Sequence, residues 1–306
     1  MFKKILFATT GSPDCDNAAH TAFDIAKKFN AEICLFHVIG LSLRGCSPYI
    51  MDARSGNEER YNQDYVSWVK EELKKTYASY LADFNRCGIE SVAGIPYTEI
   101  LRKARQIDAD LIVTGAHSRQ EETGTSRYRG IVGTNMQKVA KGARCPVLIV
   151  NRPCNTCMWY FSNIVCGIDF SDASFSAFLF AYNLAKKIGS KFYIFHALDL
   201  SYTHAGKVIS QEEIENRIQE ARWKIEKSYE PYIKDYDNYE IDIWEGIPYV
   251  EILKFSRVKN ADMIVMAHHA KEVDPEEAIL GSTLEQVVLR SPCPVASVNH
   301  PDKVSG

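Results

Sequence analysis

An internal repeat is the feature that most limits what this chain can fold into. The segment Phe2–Val38 aligns without a gap on Phe161–Ala197. Identical residues in the two segments include Ile5 and Ile164, Ser12 and Ser171, Ala26-Lys27-Lys28 and Ala185-Lys186-Lys187, and Phe36-His37 and Phe195-His196. A gapless match of this length indicates that one ancestral unit has been copied within the chain.

Two further blocks of the repeat extend the match to the end of each copy. They are Gly94-Ile95-Pro96-Tyr97 with Gly246-Ile247-Pro248-Tyr249, and Cys145-Pro146-Val147 with Cys293-Pro294-Val295. The repeating unit is therefore a whole domain, far longer than the roughly 20 to 50 residues of a solenoid repeat. We predict a first domain at residues 1–151, a linker at 152–159 and a second domain at 160–306.

Each copy alternates short apolar segments with longer amphipathic ones. The predicted strands are Lys3–Thr9, Ile33–Val38, Leu111–Thr114 and Val147–Val150 in the first copy, and Ile164–Ile168, Phe192–Ala197, Met263–Met266 and Val295–Val298 in the second. Nearly continuous apolar strands that alternate with helices are typical of a parallel sheet covered on both faces. The pattern predicts an α/β fold with two doubly wound domains.

The overall composition favours a folded protein and argues against several functions. Hydrophobic residues make up 46% and charged residues 25% of the chain, which is ordinary for a globular protein. A formal net charge of -3 gives no basic footprint for nucleic acid. No apolar run approaches the roughly 20 residues that span a bilayer, and no signal-peptide cleavage site follows Met1. We therefore expect a cytoplasmic protein, with no membrane or nucleic-acid partner and with reduced cysteines.

Ligands of open α/β sheets bind beyond the carboxyl ends of the strands, where the strand order reverses. In each copy, one loop at this edge leads to a Gly-Thr or Gly-Ser pair that opens a helix, at Gly133-Thr134 and at Gly281-Ser282. Glycines let the backbone approach phosphate oxygens, and a helix amino terminus offers free N–H groups with a positive dipole. The same pair can also be a simple helix cap.

The order of these features resembles the universal stress protein family over nearly the whole chain. The shared pattern is a strand ending in a small polar turn, a histidine at the end of strand two, a glycine-bearing loop, and a helix leading to Cys-Pro-Val. The resemblance implies five-stranded parallel sheets of the adenine nucleotide alpha hydrolase-like type. ATP-binding members carry Gly-x2-Gly-x9-Gly-Ser/Thr in the last loop and an aspartate after strand one. By this resemblance, the aspartate meets the ribose and the end of strand two meets adenine.

The second copy matches the family pattern in part. Its candidate nucleotide-binding residues are Asp169, Ala197, Ala267, His269, Ala270, Gly281, Ser282 and Thr283. Ala267 and Ala270 stand where the first two glycines of the pattern belong, and the spacer is one residue longer. An alanine at a left-handed position costs on the order of 1 kcal/mol, which handicaps the loop without preventing binding.

The first copy departs further from the pattern. Its candidate residues are Thr10, Val38, Gly115, Gly133 and Thr134. Thr10 replaces the aspartate, Ser118 replaces the second glycine, and the longer spacer contains Arg127 and Arg129. Those arginines either contact phosphate or belong to a solvated insertion. We therefore expect the second copy to be the stronger site.

Other chemistry-bearing residues lack the partners that catalysis or metal binding requires. His268-His269 and His117 have no nucleophile or acid at a diagnostic spacing, so a catalytic triad is not predicted. His37 and His196 are expected to be structural, each satisfied by a backbone carbonyl. Cys154-x2-Cys157 has no second pair to complete a zinc site, so no metal is predicted. Tyr61, Tyr65, Trp68 and Tyr77 fall on one helical face, which predicts core or interface packing.

The leading hypothesis is a cytoplasmic stress-response protein that binds an adenine nucleotide, ATP with or without Mg²⁺, as a regulatory ligand. Any hydrolysis would be weak. The alternative is a nucleotide-free signalling or interaction module that kept the fold and lost the site. Family members commonly pair through their last strands, which implies an internal pseudo-dimer and a homodimer as candidate assemblies. A regulatory protein partner is also expected.

Overall fold

The structure is a computed structural model, and the chain divides into two compact units, Met1–Asn151 and Arg152–Gly306. It describes residues 1–40, 49–51, 58–60, 62–116, 134–151, 161–200, 210–268 and 282–298. The predicted linker, including Cys154 and Cys157, lies outside these residues, as do Tyr61, Ser118, Arg127 and Arg129.

The first unit is built on a five-stranded parallel sheet in the order β5-β2-β1-β6-β7. Its strands are β1 (Lys4–Ala8), β2 (Glu32–Gly40), β5 (Cys87–Gly94), β6 (Leu111–Gly115) and β7 (Val147–Val150). Two short strands, β3 (Tyr49–Met51) and β4 (Glu58–Arg60), form a separate antiparallel pair. The helices are α1 (Asp16–Phe29), α2 (Gln63–Thr76), α3 (Ala78–Ala82), α4 (Pro96–Gln106) and α5 (Thr134–Gly142).

The second unit repeats this sheet in the order β10-β9-β8-β11-β12, again with parallel pairing throughout. Its strands are β8 (Asn163–Gly167), β9 (Lys191–Leu198), β10 (Tyr239–Glu245), β11 (Met263–Met266) and β12 (Val295–Ser297). The helices are α6 (Asp172–Ile188), α7 (Gln211–Ser228), α8 (Pro248–Val258) and α9 (Ser282–Arg290). The predicted doubly wound α/β class is confirmed in both units.

The strand order explains where each unit can form a crevice. From β8 the chain first adds β9 and β10 on one side, and then returns to add β11 and β12 on the other. Because parallel crossovers are nearly always right-handed, this reversal places α8 and α9 on the face opposite to α6 and α7. The loops after β8 and β11 therefore diverge at the carboxyl edge of the sheet, and the same holds for β1 and β6.

Two strands were missed because they lie at the sheet edge. In β10, Ile241 and Ile243 alternate with Glu240 and Asp242, and the strand is half-buried along most of its length. A search for continuous apolar segments finds central strands and misses an edge strand with this alternating pattern. β5 was missed for the same reason.

The aromatic face predicted in the first copy is only partly a packing surface. Tyr77 is buried, with 1% of its surface exposed, but Trp68 is 48% exposed. Core packing therefore explains Tyr77 and does not explain Trp68. Helical spacing identified the face, but α2 ends at Thr76 and Tyr77 lies just beyond it.

Candidate functional site

Asp169 lies in the turn that follows β8, at the point where the strand order reverses. Its Oδ1 accepts hydrogen bonds from the Ser171 backbone N–H, at 3.0 Å, and from the Ser171 hydroxyl, at 2.6 Å. The Asp169 N–H donates to the Ser174 hydroxyl at 3.1 Å. Both carboxylate bonds use Oδ1 and the residue is exposed, so Oδ2 can accept from a ligand.

The same turn is joined to the first turn of α6. Ser171 is the N-cap of that helix, and its hydroxyl accepts from the Ser174 N–H at 3.1 Å. One serine therefore both caps the helix and orients the aspartate, which is a common use of short polar side chains at helix starts. The carboxylate has a fixed position before any ligand arrives.

His196 lies beside this turn, near the end of β9. Its Nδ1 is 2.9 Å from the Ile168 carbonyl oxygen, and its ring is 4.6 Å from the ring of Phe170. Burial lowers the pKa of His196, which favours the neutral imidazole. In the first unit the Nδ1 of His37 lies 2.9 Å from the Thr9 carbonyl oxygen. The prediction that both histidines are satisfied by backbone carbonyls is confirmed.

The last loop of the second unit leads to α9. Ala267 follows β11 directly, α9 begins at Ser282, and Thr283 is half-buried in its first turn. Because β11 ends at the carboxyl edge of the sheet, the topology places the start of α9 at the same edge as Asp169. Ala197 lies in β9, one residue before its end. His269, Ala270 and Gly281 lie outside the described residues.

The corresponding turn of the first unit is polar but uncharged. The Thr10 hydroxyl lies 2.8 Å from the Ser12 hydroxyl and 3.3 Å from the sulphur of Cys15. The Thr9 hydroxyl accepts from the Gly11 N–H at 2.9 Å and lies 2.6 Å from the Tyr77 hydroxyl. These side chains bond to one another, and no carboxylate occupies the position that Asp169 has in the second unit.

The remaining candidates of the first unit lie near the ends of β2 and β6 and at the start of α5. Gly115 is the last residue of β6, and a Cβ there would lie 3.4 Å from the backbone oxygen of Asp14, at the near limit of ordinary contact. Val38 lies near the end of β2 and is half-buried. α5 begins at Thr134, and Gly133 lies outside the described residues.

The model of the universal stress protein family matches residues 1–151 and again residues 161–299. The chain belongs to this family. It is a tandem member, with one family domain in each copy of the repeat. The family carries the adenine nucleotide alpha hydrolase-like fold that the sequence resemblance implied, and the five-stranded parallel sheets of both units agree with it.

Individual relatives agree with this assignment. A universal stress protein of Methanocaldococcus jannaschii is 32% identical over 153 residues, which cover 50% of this chain and 84% of that protein. A crystal structure of a universal stress protein from Archaeoglobus fulgidus covers 98% of this chain and 97% of its own, with a TM-score of 0.65 and 20% identity. A putative universal stress protein from Pseudomonas aeruginosa gives a TM-score of 0.61 at 16% identity, covering 99% and 95%. At these identities the two structures show the shared fold.

In the second universal stress domain, several residues that shape the candidate site were missed from the sequence. They are Phe170, Ser174 and Tyr229. Ser174 lies three residues after Ser171, the N-cap of α6, so the spacing could have found it. Phe170 and Tyr229 meet across the fold, with ring centroids 6.1 Å apart, and no sequence pattern links them.

The described residues offer no group of three histidine, cysteine, aspartate or glutamate side chains that could hold a metal ion. None of the helices within the described ranges is long and apolar enough to cross a membrane.

Proposed function

We propose that this universal stress protein binds an adenine nucleotide, ATP in particular, in its second domain and uses it as a regulatory ligand in a cytoplasmic stress response. The observation that carries the proposal is the Asp169 carboxylate. It is exposed at the reversal of strand order, and Ser171 holds one of its oxygens in place.

The carboxyl edge of the second domain's sheet offers groups that suit both the ribose and the phosphates of a nucleotide. A carboxylate that presents a free oxygen accepts hydrogen bonds from the two ribose hydroxyls, as an acidic residue does in dinucleotide-binding folds. The amino terminus of α9 lies at the same edge and supplies N–H groups and a positive dipole for phosphates. Mg²⁺ would arrive with the triphosphate, because the described residues show no protein site for it.

We expect the first domain to bind a nucleotide more weakly than the second. Its turn carries Thr10 instead of a carboxylate, and that hydroxyl is already engaged with Ser12 and Cys15. A ribose would find a weaker acceptor there. The alternative function, a nucleotide-free interaction module, is favoured by this turn and by the two alanines that replace glycines in the second domain. A homodimer and an unidentified regulatory protein belong to the same proposal.

Replacing Asp169 by alanine should weaken ATP binding by about 10-fold or more, since hydrogen bonds to a charged group contribute roughly 1.5–3 kcal/mol. Mass spectrometry of nucleotide released from the purified protein, followed by calorimetric titration with ATP and Mg²⁺, measures the effect. The control is Asp172→Ala, which removes an exposed carboxylate from the first residue of α6. No bound nucleotide and no heat at millimolar ATP for the unaltered protein would favour the interaction module.

The ranking of the two domains has its own test. Gly281→Leu should abolish ATP binding, because a bulky side chain keeps the backbone away from phosphate oxygens. Gly133→Leu should leave the affinity within about threefold, a difference of less than 1 kcal/mol. Calorimetry on both variants gives the comparison. Equal losses would contradict the assignment of the site to the second domain.

A further inference from the structure

Phe170, the residue after Asp169, has a backbone conformation that phenylalanine rarely adopts. Its φ is 65°, in the left-handed region. The matching residue of the first domain is Gly11, with a φ of 73°, so both turns have a left-handed residue at this position. Glycine adopts this shape without strain, but a residue with a Cβ does not. Such strain persists only where surrounding contacts hold it, and it is often found at functional sites.

The contacts that hold Phe170 come from β9 and from the end of α7. Its ring centroid lies 4.6 Å from that of His196 and 6.1 Å from that of Tyr229, and the Lys224 Nζ lies 5.8 Å from the ring. Tyr229 is buried, which raises its pKa to about 12, so it is a neutral packing partner. The half-buried ring of Phe170 thus packs against His196 and Tyr229 of its own domain.

His196 holds the chain on both sides of Asp169. Its Nδ1 meets the Ile168 carbonyl at 2.9 Å, and its ring packs on Phe170. In the first domain His37 makes the matching carbonyl contact, but residue 11 is a glycine with no ring to hold. The second domain, which carries the aspartate, therefore has a contact that the first domain lacks.

The left-handed turn at residue 170 brings Ser171 back toward Asp169. This allows both the N–H and the hydroxyl of Ser171 to donate to the same carboxylate oxygen. We propose that Phe170 is a positioning residue, whose packing on His196 holds this turn and so aims the Asp169 carboxylate at the ribose hydroxyls of the nucleotide. The inference rests on the proposed function, and it adds a residue that does not itself touch the ligand.

The test compares ATP with 2′,3′-dideoxy-ATP, which lacks the ribose hydroxyls. Phe170→Ala removes the ring but keeps the Cβ that disfavours a positive φ, so the turn should relax and ATP binding should weaken by about 10-fold, the size of one lost charged hydrogen bond. Binding of the dideoxy analogue should hardly change. The ratio of ATP affinity to dideoxy-ATP affinity should therefore fall toward the ratio measured for Asp169→Ala. Phe170→Tyr keeps the ring and should restore the preference. Calorimetry on the full chain supplies these affinities.

A double-mutant cycle separates positioning from general destabilisation. In the Asp169→Ala background, Phe170→Ala should have no further effect on ATP affinity. Phe175→Ala removes another ring that contacts Tyr229, at 5.7 Å, and should keep the preference for ATP. Additive losses in the cycle, or equal losses for both ligands, would overturn the inference while leaving the proposed function standing.

Hydrogen exchange gives a readout that needs no ligand. The Ser171 amide should exchange faster in Phe170→Ala than in the unaltered protein and Phe175→Ala, because its bond to Asp169 Oδ1 is lost. If the unaltered protein binds no ATP, the proposed function fails, and so does the link to ribose. Unchanged exchange at Ser171 would show that Phe170 does not hold the turn.

Discussion

Replacing Phe178 by alanine should lower the free energy of unfolding of the second domain by about 3–5 kcal/mol. Phe178 lies on α6, and none of its surface is exposed. Its ring centroid is 4.9 Å from that of Tyr229, 5.8 Å from that of Phe192 and 6.0 Å from that of Phe175. Alanine would remove this buried apolar surface and leave a cavity between α6 and β9, which surrounding groups could only partly fill.

Hydrogen exchange of peptides from β8 and β9, measured over a urea series, reports the unfolding free energy of this domain. Tyr232→Ala is the matched control, because Tyr232 contacts Phe175 at 4.8 Å in the same aromatic cluster but is 51% exposed. That change should cost less than about 1 kcal/mol, as exposed substitutions usually do. A similar small loss for Phe178→Ala would contradict the packing of α6 on the sheet.

The central part of each fold could be predicted because its residues obey local rules. Lys4–Ala8 and Met263–Met266 are short, almost wholly apolar strands, and both were predicted to within a residue or so at each end. The repeat then supplied the same order for the second copy. β5 and β10 required knowledge of which strands pair, since an edge strand is recognised by its neighbour more than by its own composition.

The candidate site could be predicted only where one residue indicates its own role. Asp169 and Ser282 stand at fixed places in a family pattern, and the structure places each at the carboxyl edge of the sheet. Phe170 could not be found in this way, because its backbone strain and its contact with His196 depend on two segments meeting in space.

An Ala-Asp pair recurs just before β6 and β11, as Ala109-Asp110 and Ala261-Asp262. Its aspartate explains how the register of each sheet is held. In the second domain, Asp262 is 1% exposed, and its Oδ2 accepts from the N–H of Asn163, the first residue of β8, at 2.9 Å. The Asp262 N–H donates in turn to the Asn163 carbonyl, also at 2.9 Å. In the first domain, the Oδ2 of Asp110 accepts from the N–H groups of Lys3 and Lys4 at 2.7 and 3.0 Å. A carboxylate thus joins the starts of two neighbouring strands in both copies.

Replacing Asp262 by alanine should lower the unfolding free energy of the second domain by about 2–4 kcal/mol. The change deletes a charged hydrogen bond and leaves the backbone N–H of the half-buried Asn163 without its acceptor, and each of these costs roughly 1–3 kcal/mol. Hydrogen exchange of the β8 peptides over a urea series measures this loss of unfolding free energy.

The stability lost on replacing this carboxylate should depend on how deeply it is buried. The two copies allow the buried Asp262 to be compared with the half-buried Asp110. Asp110→Ala should cost less, about 1–2 kcal/mol, because Asp110 is only half-buried and water can replace the lost acceptor. Asp262→Asn keeps an oxygen at the same place and should recover part of the loss. If alanine and asparagine were equally harmful at residue 262, the negative charge and not the hydrogen bond would be what holds β8 against β11. If Asp110→Ala cost as much as Asp262→Ala, burial would not be the cause of the difference.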